Sequence, residues 1–189
     1  MEIWLVRHGA TEWSVAGRHT GTTDLPLLPE GEKQARQLGA SLRDHPFARM
    51  MSSPLLRARE TARLAGFGDR IEITELLLEW NYGAYEGLTR DDIRDRTPGW
   101  EVFRDGFPDG EQPSDVAERT KELLELIGSP GGDVLLFGHG HCLRALAATY
   151  LELPMKHASL LRLDAGTLSI LGHERDHRAI QLWNQSPQV

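Results

Sequence analysis

Two histidines in this sequence follow short apolar runs, and each has a glycine beside it. His8 lies in VRHG after the run IWLV, and His139 lies in FGHG after the run DVLLF. An imidazole can act as a nucleophile or exchange a proton near neutral pH, so both residues are candidates for chemistry. The neighbouring glycines let the backbone approach a ligand closely. If the two runs form adjacent strands, His8 and His139 face one ligand pocket.

Apolar runs alternate with helical patterns along the chain. We predict strands at 2–6, 48–51, 133–137, 160–163, 167–171 and 178–183. The predicted helices cover 29–43 and 55–65, with a third that begins at a Ser114 cap and a fourth that ends at Leu151. This alternation indicates an α/β fold, a three-layer αβα sandwich with a mostly parallel central sheet and helices on both faces. In such sheets ligands bind at the carboxyl ends of the strands.

Length and composition are those of one ordinary globular domain, which we assign to residues 1–189. The net charge is -7 and no block of like charges occurs, which argues against nucleic-acid and anionic-membrane partners. We predict no signal peptide and no membrane span. The single cysteine, Cys142, excludes an internal disulfide and favours a reducing cytoplasm. A homodimer is left open.

Four further features of the sequence point to a family. The run LVRHGATEW continues into GRHTGTTDLPLLPEG, and the blocks SSPLLRARETA, LLEWNYGAYEG and LLFGHGHCLR follow in order. Together they resemble the histidine phosphatase superfamily, which includes the cofactor-dependent phosphoglycerate mutases. A lone RHG is weak evidence, whereas four blocks in order over nearly the whole chain are specific.

The resemblance assigns roles to nine residues. It implies that His8 is the nucleophile, that Glu79 is the proton donor, and that Arg7, Arg57 and His139 belong to the phosphate pocket. The residues implied to bind substrate are Ser14, Thr20, Gly21 and Gly140, although Ser14 stands where many mutases carry Asn. The implied scheme needs no metal and no cofactor. It suits phosphoryl transfer, in which catalysis is largely positioning and stabilisation of charge on the phosphate oxygens.

Less specific interpretations compete at several positions. Arg59 shares a helix with Arg57 and is expected on the surface, and Glu86 competes with Glu79 for the acid role. The cluster His139-Gly140-His141-Cys142 invites a metal interpretation, but it lacks a second ligand pair at a recognisable spacing. The tryptophans are expected to pack in the core, since no basic stripe accompanies them.

The reaction itself has two main candidates. A mutase must shield phospho-His8 from water, whereas a phosphatase must admit water. Only 60 positions (139 − 79 = 60) separate Glu79 from His139, and the chain stops soon after Trp183. This short cap, around residues 88–112, favours a phosphatase. The segments LLEWNYGAYEGLTRDDIR and GWEVFRDGFPDGE most resemble the branch of sugar bisphosphatases and broad acid phosphatases, which implies sugar phosphates or bisphosphates as substrates. A phosphoglycerate mutase is the first alternative.

The chain could be a non-catalytic phosphate-binding or regulatory module, but none of its implied catalytic residues is replaced. It could also be a phosphoprotein phosphatase, although a covered site favours small metabolites. We expect that at least one arginine of the cap meets a second anionic group of the substrate. The candidates are Arg90, Arg94, Arg96 and Arg104.

Overall fold

The computed structural model describes residues 1–128 and 131–187. One sheet contains all six strands, in the order β3-β2-β4-β1-β5-β6. Strands β1 to β4 run parallel, whereas β5 and β6 are antiparallel to their neighbours. The strands are β1 (Ile3–Arg7), β2 (Arg49–Ser52), β3 (Glu72–Ile73), β4 (Val134–Gly138), β5 (Leu168–Glu174) and β6 (His177–Gln185).

Helices cover both faces of this sheet, which confirms the predicted three-layer α/β architecture. The helices are α1 (Glu12–Val15), α2 (Pro29–Leu42), α3 (Leu56–Leu64), α4 (Arg90–Arg96), α5 (Val102–Asp105), α6 (Pro113–Ile127) and α7 (Gly140–Tyr150). Side chains alternate across each strand. Val6 of β1 therefore packs with α2 and α3, while Leu5 packs on the opposite face with α6 and α7.

Two local predictions were wrong. Ser114 does not cap α6, because Gln112 is the N-cap residue and Asp115 accepts its backbone N–H at 2.8 Å. Pro113 then occupies the first turn, where its missing N–H is not needed. Residues 160–163 form no strand, since a 3-10 helix covers Met155–Leu160 and the chain continues irregularly to β5. Short apolar runs do not distinguish a strand from a buried turn.

The predicted cap segment consists of the short helices α4 and α5 and the loops around them. Its inward side chains form an aromatic cluster with α6 and α7. The cluster includes Trp80, Tyr82, Ile93, Trp100, Phe103 and Phe107. The tryptophans Trp80 and Trp100 are thus core residues, as the sequence predicted. The cap is thus packed onto the layer that carries α7.

Candidate active site

The two glycine-flanked histidines lie side by side at the carboxyl ends of β1 and β4. These strands are adjacent and parallel, and the backbone N–H of His8 donates to Gly138 O at 3.0 Å. The ring centroids of His8 and His139 are 5.2 Å apart. The expectation that the two strands are neighbours is therefore confirmed, although only His8 of the two lines the cavity at these strand ends.

The imidazole of His8 is held in one orientation by its own loop. Its Nδ1 lies 2.8 Å from Gly9 O, so Nδ1 carries the proton and donates to this carbonyl. Burial, followed by the charges of Arg57 and Arg7, lowers the pKa of His8 well below its usual value. The ring is therefore neutral, and Nε2 keeps the free electron pair that a nucleophile requires.

His139 and Arg57 lie directly behind His8 and are both fully buried. Arg57 Nε donates to His139 Nδ1 at 3.1 Å, and His139 Nε2 donates to Ser53 Oγ at 2.8 Å. Since Nδ1 accepts a hydrogen bond, His139 is neutral, and burial with the charge of Arg57 lowers its pKa well below the usual value. His139 thus supports the pocket through hydrogen bonds rather than through a charge of its own.

The guanidinium of Arg57 organises the loop beside the site. It donates to the carbonyl oxygens of Thr20, Gly21 and Thr23 at 2.9, 3.0 and 3.0 Å. The Glu86 carboxylate accepts the backbone N–H of Gly21 at 2.9 Å, and a Cβ at Gly21 would lie 2.7 Å from Glu86 Oε2. Glu86 therefore fixes this loop from outside, and glycine is needed for the close approach.

Glu79 is fixed at the N-terminus of α7. Its carboxylate accepts the backbone N–H groups of His141 at 3.0 Å, Cys142 at 2.8 Å and Trp80 at 3.1 Å. The segment on either side is held by an ion pair between Arg119 and Glu111 at 3.0 Å. Arg119 donates to Leu78 O at 2.7 Å, and Glu111 accepts the N–H of Asn81 at 2.8 Å.

These residues surround a cavity of about 530 Å³ between the strand ends and the cap. Six of the nine sequence-predicted site residues line it, namely Arg7, His8, Ser14, Thr20, Glu79 and Gly140. The other three, Arg57, His139 and Gly21, do not line the cavity and lie behind the residues that do. The hydroxyl of Ser14 donates to Thr11 O at 2.9 Å within the cap of α1, so it also serves the local fold.

Arg7 presents an anion-binding group to this cavity. Its Nη1 donates to Leu163 O, while its buried Nε has no hydrogen-bond partner among residues 1–128 and 131–187. Gly140 lies against the guanidinium, since a Cβ there would be 3.2 Å from Arg7 Cζ. Glycine at this position thus leaves the arginine open to a ligand.

Sequence reasoning missed a second group of cationic and aromatic residues on the cap side of the cavity. Arg144 projects from α7, donates to Ala158 O and Ser159 O at 3.1 Å each, and lies over the Phe103 ring at 4.6 Å. Burial, followed by the charge of Arg7, lowers its pKa to about 10, so it remains charged at neutral pH. Two guanidinium groups that repel each other across one cavity favour an anionic ligand.

The cap arginines divide into one that lines the cavity and three that do not. Arg90 lines it and bonds Glu101 at 2.6 Å. Arg94 pairs with the same carboxylate, and Arg104 pairs with Asp105 at 2.6 Å. Of the four candidates for a second anion, Arg90 alone is in place. Arg18 joins it from the opposite loop, donating to Gly87 O at 2.9 Å.

No group of three His, Cys, Asp or Glu side chains within residues 1–128 and 131–187 is arranged to hold a metal ion. His141 and Cys142, which suggested a metal, instead contact Tyr82 and Arg119. In the same residues, none of the helices has the length and apolar character needed to cross a bilayer.

The buried imidazoles predict how stability depends on pH. Burial lowers the pKa of His8, His19 and His139 in the folded state, whereas in the unfolded chain each titrates near about 6.5. Below this pH the unfolded state binds protons at these imidazoles, whereas the folded state does not. The free energy of unfolding should therefore fall on acidification, by up to about 1.4 kcal/mol per pH unit for each imidazole.

Urea unfolding at a series of pH values between about 7.5 and 5.5 measures this slope. His19 packs edge-on against Tyr82, Trp100 and Phe107, so His19→Phe should keep the fold and reduce the slope. His177→Asn, at an exposed position of β6, should leave the slope unchanged. A stability that is flat over this interval would contradict the neutral state of the buried imidazoles.

Comparison with known proteins identifies the family to which this site belongs. Residues 3–186 match the family model described as histidine phosphatase superfamily (branch 1). The chain therefore belongs to the histidine phosphatase superfamily, as the four sequence blocks predicted.

Relatives with different names are similar over most of the chain. An acid phosphatase of Mycobacterium tuberculosis is 38% identical over 94% of this chain and 89% of its own length. Sedoheptulose 1,7-bisphosphatase of Saccharomyces cerevisiae is 36% identical over 79% of this chain and 67% of its own length. The solved structure of the product of a Mycobacterium tuberculosis open reading frame superposes with a TM-score of 0.94 at 34% sequence identity. The superposition covers 99% of this chain and 98% of the other. Two bacterial relatives, at 31% and 32% identity, are named probable phosphoglycerate mutase.

Proposed function

We propose that this enzyme hydrolyses small phosphorylated metabolites through a phosphohistidine formed at His8. The observation that carries the proposal is the fixed tautomer of His8, whose Nδ1 is bonded to Gly9 O at 2.8 Å while its ring lines the cavity with Arg7 and Glu79. A neutral imidazole beside an arginine is suited to attack a phosphate monoester. Membership of the histidine phosphatase superfamily supports this chemistry.

The proposed reaction has two steps. In the first, His8 Nε2 attacks phosphorus, the bond from phosphorus to the ester oxygen breaks, and Glu79 protonates the departing alkoxide. In the second, water attacks phospho-His8 while Glu79 accepts its proton, and inorganic phosphate leaves. Arg7 neutralises charge on the phosphate oxygens throughout, because a guanidinium can bind two of them in one plane. Arg57 and His139 hold the loops and rings that shape this pocket.

We propose that the preferred substrates are sugar phosphates that carry a second anionic group. Arg144, Arg90 and Arg18 line the cavity beyond the catalytic residues. A cavity of about 530 Å³ lies within the usual range for a small-molecule site. Similarity to proteins named acid phosphatase and sedoheptulose 1,7-bisphosphatase supports this class.

Hydrolysis is favoured over phosphoryl exchange by the way the cap covers the site. The cap contributes Arg90, Trp100, Glu101 and Val102 to one wall of the cavity. Its two helices are only 7 and 4 residues long, and we infer that so small a cap leaves phospho-His8 open to water. The relatives named phosphoglycerate mutase make exchange the alternative. A mutase would need phospho-His8 to outlast substrate release.

The distal arginines predict a change in substrate preference. Arg144→Met should lower kcat/KM for a sugar bisphosphate about 30-fold, since a charge-assisted hydrogen bond to phosphate is lost. For the matching monophosphate, kcat/KM should change less than about threefold, because that substrate places no charge near Arg144. Phosphate release from sugar mono- and bisphosphates of equal chain length measures both values.

Arg104→Met is the matched control for this experiment. Arg104 is an arginine of the cap that bonds Asp105 and is not among the cavity residues. We expect its relative rates on the two substrates to equal those of the unsubstituted enzyme. Equal losses on mono- and bisphosphate in Arg144→Met would refute the distal anion site, while hydrolysis itself would stand.

A further inference from the structure

Two stacked imidazoles in the cavity wall have no role in the two-step reaction described above. His19, from the loop after α1, and His141, in the first turn of α7, both line the cavity. Their ring centroids are 5.7 Å apart, with 30° between the ring planes. Building on the proposed function, we propose that His19 and His141 together bind two neighbouring hydroxyl groups on the carbon chain of the substrate.

His19 presents a hydrogen-bond acceptor to the cavity. Its backbone N–H and its Nδ1 both lie within hydrogen-bond distance of Leu88 O, at 2.8 and 2.9 Å. A carbonyl oxygen only accepts, so Nδ1 carries the ring proton. Burial lowers the pKa of His19, so the ring is neutral at neutral pH and Nε2 keeps its lone pair. This Nε2 has no hydrogen-bond partner among residues 1–128 and 131–187 and is not sealed from the cavity.

His141 presents a hydrogen-bond donor beside it. Tyr82 Oη lies 2.6 Å from His141 Nδ1, and Tyr82 is buried. Burial also raises the pKa of Tyr82 well above its usual value, so it stays a hydroxyl. In the described part of the chain Nδ1 is the one acceptor at hydrogen-bond distance, so the Tyr82 hydroxyl donates to it. Burial lowers the pKa of His141 well below its usual value, so the single ring proton lies on Nε2.

The two rings thus offer one acceptor and one donor side by side. A hydroxyl group can both donate and accept, so one hydroxyl can donate to His19 Nε2 while its neighbour accepts from His141 Nε2. An ionised phosphate or carboxylate has no proton for His19, and an alkyl chain would leave both nitrogens without a partner. The pair therefore selects a hydroxylated chain rather than a further anion or an apolar group.

Aromatic packing holds both rings in this orientation. The His19 ring is edge-on to Tyr82 at 4.9 Å. The His141 ring is edge-on to Phe103 at 5.3 Å. Rotation of either ring would break its Nδ1 hydrogen bond, to Leu88 O or to the Tyr82 hydroxyl. Since both Nε2 atoms are oriented before the substrate arrives, little ordering cost opposes the two hydrogen bonds.

His141 lies between the reacting groups and the distal arginine. Its backbone N–H donates to Glu79 at 3.0 Å, and Arg144 follows it by three residues on the same side of α7. In the proposed reaction Glu79 protonates the ester oxygen, and Arg144 meets the second anion. The hydroxyl groups that reach the pair are therefore those on the carbons next to the ester oxygen.

Two three-carbon monoesters, glycerol 1-phosphate and propyl phosphate, test the pair. They differ only in two neighbouring hydroxyl groups, and neither carries a second anion, so the result does not depend on Arg144. We expect kcat/KM to be about 100-fold higher for glycerol 1-phosphate, since each neutral hydrogen bond contributes up to about tenfold. Phosphate release measures this ratio. Any difference in leaving-group acidity is common to all variants, so the change in the ratio between variants reports the pair.

His19→Phe keeps the edge-on packing and removes the acceptor. It should lower the ratio about tenfold, through the glycerol ester, while propyl phosphate changes less than about threefold. His141→Phe alone would leave the buried Tyr82 hydroxyl without an acceptor, so it is combined with Tyr82→Phe. Relative to Tyr82→Phe, the combined variant should also lower the ratio about tenfold.

Tyr85→Phe is the matched control. Its ring lies edge-on to Phe107 in the same aromatic cluster, but its hydroxyl bonds Thr97 at 3.1 Å and it is not among the cavity residues. The ratio in this variant should equal that of the unsubstituted enzyme. A change as large as that in His19→Phe would assign the effect to packing and overturn the hydroxyl site.

The outcomes are distinguishable from failure of the proposed function. An unchanged ratio in His19→Phe, or a ratio near one in the unsubstituted enzyme, would overturn the hydroxyl site while His8 still becomes phosphorylated. So would failure to hydrolyse either ester by an enzyme that hydrolyses sugar bisphosphates, because the hydroxyl groups would then confer no affinity. Absence of phospho-His8 with these esters and with sugar bisphosphates alike would instead overturn the proposed function.

Discussion

His8→Asn is expected to abolish turnover and phosphoenzyme formation together. The amide keeps a polar group at the end of β1 but lacks the Nε2 electron pair that attacks phosphorus. Loss of a nucleophile typically lowers kcat by about 10⁵-fold or more. Rapid quench after mixing with a phosphate-labelled substrate measures both quantities in the same sample. The phosphoenzyme is counted as the acid-labile label that stays on the protein.

The control is a histidine outside the site. His177 is exposed on the edge strand β6, and His177→Asn should keep the full burst of labelled protein. The assignment also requires that the label in the unsubstituted enzyme map to the peptide with His8. Labelled protein of undiminished amount in His8→Asn would place the nucleophile elsewhere, with His139 as the first residue to examine.

Glu79→Gln is expected to separate substrates by their leaving groups. An alkyl phosphate needs a proton on its departing oxygen, so its kcat should fall about 10³-fold. A nitrophenyl ester leaves as a stable anion, and formation of phospho-His8 from it should slow by less than about tenfold. Burst amplitudes and rates for both substrates provide the measurement.

This comparison also cancels the structural cost of the substitution. Both carboxylate oxygens of Glu79 accept backbone N–H groups, from Cys142 and Trp80 on one side and His141 on the other. The amide nitrogen of Gln must face one of these donors, which destabilises the site for every substrate alike. Equal losses on the alkyl and nitrophenyl esters would therefore show that Glu79 positions the loop and supplies no proton.

The sequence predicted the frame of the site because local patterns define it. Glycine beside His8 and His139 and the apolar runs before them were sufficient to place both at strand ends. Their adjacency had to be inferred from the fold class, since pairing of β1 with β4 joins segments more than a hundred residues apart. Parallel pairing of such segments leaves no local signal.

The residues beyond the first pocket were missed for a similar reason. Arg144 is five positions after His139 on an apolar helix, where an arginine resembles an ordinary surface residue. Its role follows from the way α7 turns it toward Ser159 and Phe103. Tyr82 and His141 are 59 positions apart and meet only in the folded chain.

The structure distinguishes the two arginines that the resemblance assigns to the phosphate pocket. Arg57 donates to three carbonyl oxygens of the neighbouring loop and to His139, so its first task is to build the pocket. Sequence blocks identify a required residue without saying whether it contacts the ligand or the wall behind it. Arg7 lines the cavity and its Nε has no partner among the described residues, so we expect this guanidinium to meet the phosphate directly.

The central claim is that phospho-His8 passes its phosphoryl group to water. The most direct measurement is single-turnover transfer, in which enzyme labelled from a sugar bisphosphate is mixed with excess phosphoglycerate, without added metal. We predict that the label appears as inorganic phosphate at a rate equal to kcat, with no labelled bisphosphoglycerate. Label recovered in bisphosphoglycerate, with little free phosphate, would contradict the account and identify a mutase.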